Sequence, residues 1–164
     1  MKIKGLRKLN NVVTKQLAPF GIHKAVCGDD FSYWYESEDV HYKLTVTTED
    51  KWFMEFIAET FGYKTDFPFI LSLLHEVGHH FTIDDVDDEE YCQDEKERIS
   101  EEMYFASEER KKELEWEYFN LPDEIVATEW AVEYALEHTE ELAEMWAEIL
   151  EALQDFYEIN KIEG

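Results

Sequence analysis

His75 and His79 stand four residues apart in the run Leu71-Ser-Leu-Leu-His75-Glu76-Val-Gly78-His79-His80-Phe-Thr-Ile83. That spacing constrains the fold before any other feature does. In an α-helix, residues four apart lie one above the other, so two imidazoles can aim at one point. Glu76 flanks that point and can accept a proton from water held there. At about 100° per residue, Ile70, Leu73, Leu74, Val77 and Phe81 fall on one stripe, the core face. The histidine pair falls on the opposite side, with Gly78 and Ser72 nearby, and so meets either water or a cleft. Glycine in a helix interior costs about 1 kcal/mol relative to alanine. Gly78 between the two histidines therefore implies close approach of another element.

The pattern His-Glu-x-x-His is a zinc pattern, and a hydrolytic zinc ion needs three protein ligands and one open position. The third is expected downstream, in Leu121-Pro122-Asp123-Glu124-Ile-Val-Ala127-Thr128-Glu129-Trp130-Ala131. Pro122 suits the first turn of a helix. On that helix Glu124, Ala127, Thr128, Ala131 and Ala135 share a face. Small side chains let another helix come close, and the carboxylate heading the stripe can then reach a neighbour's metal. Glu129 points elsewhere. His138 shares the stripe but lies roughly 21 Å further along the axis, too far for the same ion. The metal ligands expected are His75, His79 and Glu124, with Glu76 as the catalytic base.

These two segments resemble the zincin metallopeptidases, and most of all the ImmA/IrrE type, whose third-ligand helix commonly reads Glu-x-x-Ala-Asn-x-Phe-Ala. Thr128 and Trp130 depart from that pattern, and 44 residues rich in acid separate His79 from Glu124. The resemblance implies a Zn2+-dependent, protein-cleaving zincin-like fold. Such proteins often come from phages or mobile elements and often act on a repressor.

Composition sets bounds. A chain of 164 residues with 45% hydrophobic content and 25 aromatic residues suits one domain with a real core. No run approaches a membrane span. Met1 to Lys24 lacks the apolar stretch of a signal peptide. Cys27 and Cys92 lack metal-type spacing and read as reduced thiols, so a cytoplasmic location is expected. The net charge of −25 is uneven. Residues 1–28 hold six Lys/Arg and no acid, and the remainder balances to −31. Such a surface repels phosphates, so direct nucleic-acid binding is not expected. A protein or peptide substrate of basic character is.

The remaining chain reads as a series of short elements. Ile3, Leu6, Leu9, Val13 and Leu17 fit a helical stripe ended near Pro19 and Gly21. Residues 31–35 and 40–46 read as a hairpin. Thr48 is expected to cap a helix over 49–61 closed by Gly62. Asp84 to Glu90 carries six acids in seven residues and reads as a loop without EF-hand spacing. Residues 94–118 read as one charged helix with Ile99, Met103, Ala106 and Leu114 inward. Trp116, Tyr118 and Phe119 read chiefly as core. Thr139 starts a last helix with Leu142, Met145, Trp146, Ile149, Leu153 and Phe156 on one stripe.

The fold class expected is α+β and zincin-like, in a single domain over 1–164. A small antiparallel sheet backs the metal helix within about 1–83. The acidic insertion and C-terminal helices fill about 84–164. Candidate donors for an oxyanion are His80, Tyr118 and Tyr134, with His80 better suited to packing. The rival reading is an acidic interaction protein, a nucleic-acid mimic or inhibitor of a DNA-binding enzyme, with zinc structural or vestigial. A binding module has no need of a carboxylate at Glu76, and that residue favours the enzyme.

Overall fold

Pro68 opens the helix that carries the two histidines, and the helix runs from Pro68 to Thr82. The computed structural model describes residues 5–161. In chain order its elements are α1 (Leu6–Leu17), β1 (Lys24–Cys27), β2 (Ser32–Trp34), β3 (Asp39–Tyr42), α2 (Thr48–Phe61), α3 (Pro68–Thr82), α4 (Glu89–Met103), α5 (Glu108–Phe119), α6 (Pro122–Glu137) and α7 (Thr139–Lys161). The class is α+β, with seven α-helices and one three-stranded sheet among the described residues. Ile3 of the expected first stripe lies outside the described residues. Leu9, Val13 and Leu17 are buried as expected.

The sheet is mixed, not antiparallel. Its order is β1-β3-β2, with β1 parallel and β2 antiparallel to β3. The expected hairpin of β2 and β3 is present, but β3 ends at Tyr42 and the expected strand over 43–46 is not formed. The missed strand β1, Lys-Ala-Val-Cys, is too short for alternation to mark it. Its identity comes from tertiary partners. Asn10 and Thr14 on α1 accept hydrogen bonds from the backbone N–H groups of Cys27 (3.0 Å) and Ala25 (2.9 Å). Helix α1 thus closes that sheet edge, as exposed strand edges commonly are closed. The other edge, β2, borders the cleft described below.

Three helix boundaries depart from expectation for local reasons. Thr47, not Thr48, caps α2, in a capping box with Asp50. The acidic segment 84–90 is largely ordered. Ile83–Asp85 forms a 3-10 turn, and Glu89 and Glu90 supply the first turn of α4, where negative charge suits the helix dipole. The single helix expected over 94–118 is two, because Ser107 caps α5 by accepting from the Arg110 N–H at 3.2 Å. Ile99, Leu114 and Leu121 then form a small second core between α4, α5 and the start of α6.

Helix α3 is enclosed far beyond one stripe. Every residue from Ile70 to Gly78 is buried. The sheet and α7 cover part of it, and α6 makes its most extensive contact. Phe81 departs from the expected core stripe. It is 47% exposed and stacks on Trp130, with centroids 5.0 Å apart. No described helix is long and apolar enough to cross a membrane.

Candidate metal centre

Helix α6 lies on α3 where Gly78 removes a side chain. A Cβ at Gly78 would stand 2.4 Å from the Ala127 carbonyl oxygen. Ala127 and Ala131 are fully buried in this contact. The close crossing brings Glu124, one turn before Ala127, over the histidine pair. His75 Nε2 lies 3.0 Å from Glu124 Oε1, and His79 Nε2 lies 3.1 Å from Glu124 Oε2. One ligand atom from each residue falls within 4.8 Å of the others. For comparison, the edge of a zinc tetrahedron with bonds of about 2.0–2.1 Å is roughly 3.4 Å. The three residues singled out by helical phase are therefore brought together. Glu129 is solvent-exposed on the far side of α6. His138 stacks on Tyr134 at the other end of the helix.

A hydroxyl fixes the orientation of His75. Thr128 donates its one proton to the Glu124 carbonyl at 2.8 Å. Its oxygen, 3.0 Å from His75 Nδ1, must then accept from that nitrogen. His75 Nε2 is left with a lone pair turned towards the carboxylate when the ring is neutral. A lone pair facing a carboxylate calls for a proton or a metal ion between them. This donor set, two imidazoles and a carboxylate with a fixed outer partner, fits zinc. Sequence reasoning placed Thr128 on the right face but gave it no role. Its spacing of four from Glu124 was the available signal.

The surrounding charges are tightly coupled. Burial alone would raise Glu124, but the imidazoles of His79 and His75 outweigh it and hold the carboxyl well below the usual range. Burial would lower His79; the Glu124 charge and hydrogen bond, with Glu76, instead push it up to about 9. Glu76 is itself buried, and desolvation raises it against the pull of both histidines. Lys96 on α4 is the residue that sequence reasoning missed. Its ammonium bonds Asp123 Oδ2 at 2.5 Å and Glu124 Oε2 at 2.9 Å. A signal existed: Cys92, Lys96, Ile99 and Met103 share one face, and Cys92 and Ile99 are fully inward.

Two recesses meet at Glu76. The first holds about 200 Å³ and is lined by Glu76, His79, Lys96 and Glu124 together with β2 residues Ser32 and Tyr33. The second holds about 230 Å³ between α2, α3 and α5, with His75, Glu76 and Tyr118 on its wall. Of the three candidate oxyanion donors, Tyr118 alone lines either of these two recesses. Burial, then Glu124 and Glu76, raise its hydroxyl far above the usual tyrosine value, so it keeps its proton. His80 is engaged by the Tyr33 hydroxyl at 2.7 Å, a packing role. Tyr134 stacks between Trp130 and His138, outside both recesses. In the second recess Glu115 is pushed up to about 7 by burial and by Glu49 and Asp50, against Lys43.

No family model matches the chain, and comparisons with curated proteins and with solved structures found no similar protein.

Proposed function

We propose that this protein is a zinc-dependent metallopeptidase of zincin type that hydrolyses peptide bonds of a protein substrate. The observation that carries the reading is the convergence of His75, His79 and Glu124 within 4.8 Å, beside a buried Glu76 in an open cleft. His75 and His79 would hold zinc through Nε2, and Glu124 through its carboxylate. Bound there, zinc supplies Lewis acidity, lowering the pKa of water from 15.7 towards ~7 and polarising the scissile carbonyl. Glu76 is the base. Burial raises its carboxyl, which brings its proton affinity closer to that of a group working near neutral pH. It accepts the proton of the attacking water and delivers it to the leaving amine. Thr128 keeps the His75 ring in the required tautomer. Lys96 neutralises Asp123 and one oxygen of Glu124, so two adjacent acids can share a buried helix start. Tyr118, holding its proton on the wall of the second recess, would be the donor that steadies the developing oxyanion.

The test pairs metal content with cleavage. Protein purified without chelators should carry one zinc per chain by mass spectrometry, and a His75→Ala/His79→Ala variant should carry none. Glu76→Gln should keep the zinc and lose hydrolysis of a proteome-derived peptide library. Equal, negligible zinc in wild type and double variant would sink the metal site. Unchanged cleavage by Glu76→Gln would remove Glu76 as base.

A further inference from the structure

We infer that the cleft reads an extended polypeptide by two features: an apolar recess beside Ser72 that takes one large side chain, and an acidic wall that meets cationic neighbours. The inference rests on the peptidase reading for its substrate class and adds what that substrate must contain. The recess holds about 440 Å³ and is walled by Leu44, Val46, Met54, Pro68 and Phe69. Pockets that bind specifically are largely apolar, about 300–1,000 Å³, and formed in advance. This one is preformed. Lys43 pairs with Asp50 at 2.8 Å and donates to Thr47 at 3.2 Å, which ties the segment after β3 to the head of α2. Its wall is accessible, since Val46 is 71% exposed.

Position links the recess to the chemistry. Phe31, Lys43, Asp50 and Ser72 border both this recess and the one that holds His75 and Glu76. Ser72 precedes His75 and Glu76 by three and four residues, roughly 4.5–6 Å along the helix axis. An extended chain advances about 3.3 Å per residue. A side chain seated beside Ser72 therefore belongs one or two residues from the bond that faces Glu76. The cleft continues past Glu76 into the first recess, so the chain has room on both sides of that bond.

Charge selects the neighbours. Asp30, Glu49, Asp50 and Glu115 face the recess beside His75, and the one lysine there, Lys43, is already paired with Asp50. Asp30, Glu49 and Glu115 are left without a cation in this recess, in a chain of net charge −25. A cationic side chain relieves that repulsion, and an acidic one adds to it.

The experiment uses the full chain as Glu76→Gln, loaded with zinc, so that binding is read without cleavage. The probes are fluorescein-labelled peptides of sequence Gly-Lys-Lys-Gly-X-Gly-Lys-Lys-Gly, with X either Phe or Ala, and a third with Phe and every Lys replaced by Glu. Anisotropy should show the Phe peptide binding about tenfold tighter than the Ala peptide, and the Glu peptide not binding. Val46→Trp, at an exposed position, should fill the recess and erase the Phe preference. Met54→Gln should weaken it. Equal affinity for Phe and Ala peptides, or a preference that survives Val46→Trp, overturns the recess. Equal affinity for the Lys and Glu peptides overturns the acidic wall. If the preferences hold while zinc-loaded wild type leaves the Phe peptide uncut, the recess stands and the hydrolytic reading falls.

Discussion

Gly78→Ala separates local helix propensity from the packing that builds the metal centre. In an exposed helix interior, this substitution stabilises by about 1 kcal/mol. Here the new Cβ would lie 2.4 Å from the Ala127 oxygen, 3.0 Å from its carbonyl carbon and 3.1 Å from its Cα. All three atoms are backbone, so no side chain can swing aside, and trimming Ala127 to glycine gives no relief. Restoring ordinary contact near 3.4 Å moves α6 off α3 by about 1 Å. Overpacking of this kind costs about 1–3 kcal/mol, which matches or exceeds the propensity gain. Glu124 rides on α6 one turn from Ala127. A metal site tolerates ligand displacements of only about 0.2 Å. The expected result is a net loss of up to about 2 kcal/mol in urea unfolding of the metal-free protein and zinc affinity reduced at least tenfold in chelator competition. A variant more stable than wild type by about 1 kcal/mol, with unchanged zinc affinity, would refute the claim that this crossing sets the site.

Glu124→Ala should weaken zinc binding by orders of magnitude, whereas Glu129→Ala, on the exposed face, should match wild type in the same titration. Thr128→Val removes the acceptor of His75 Nδ1–H while keeping shape; zinc affinity should fall about 10–100-fold, with Thr128→Ser close to wild type. Apparent zinc affinity should rise about tenfold per pH unit and level off near pH 9, because His79 in the metal-free site holds its proton up to about 9; a flat profile from pH 6.5 to 9 contradicts this. Glu115, raised from 4.5 to about 7, binds its proton more tightly folded than unfolded, so its contribution to stability falls as pH rises through that window. Partial exposure reduces the effect to about 1–2 kcal/mol, and Glu115→Gln should stabilise by that amount at pH 8 and negligibly at pH 4.

What the sequence made legible was whatever helical phase controls. Three ligand candidates and the rejection of Glu129 follow from 3.6 residues per turn, the rejection of His138 from the rise per residue, and the close approach at Gly78 from the cost of glycine inside a helix. They needed no knowledge of the partner, only that a partner existed. The sheet was legible in its hairpin, where β2 and β3 are sequence neighbours. It was not legible in β1, whose pairing with β3 is parallel and whose outer hydrogen bonds end on Asn10 and Thr14 of a different element. The split between α4 and α5 was missed because the charge pattern of 94–118 runs through it, and the Ser107 cap is one residue among many polar ones. Phe81 was misread because periodicity fixes its angle on α3 but not where the covering elements stop.

Lys96 marks the boundary between these two kinds of information. Its inward position could be read from Cys92 and Ile99, four and three residues away on the same helix. Its function could not, because that depends on α4 meeting the first turn of α6. Two adjacent acids, Asp123 and Glu124, begin α6, and the helix dipole alone offsets only about 0.3–1 kcal/mol for each. An isolated buried carboxylate costs several kcal/mol. The imidazoles of His79 and His75 hold Glu124 charged, and Lys96 adds a cation from a neighbouring element that bonds both acids. The acidic insertion between His79 and Glu124 therefore contributes to the centre through its one inward lysine, whereas its many acids stay at the surface. A chain this acidic can still build a site that depends on placing single positive charges, because net charge is a property of the exposed faces and ligand geometry is a property of the buried ones.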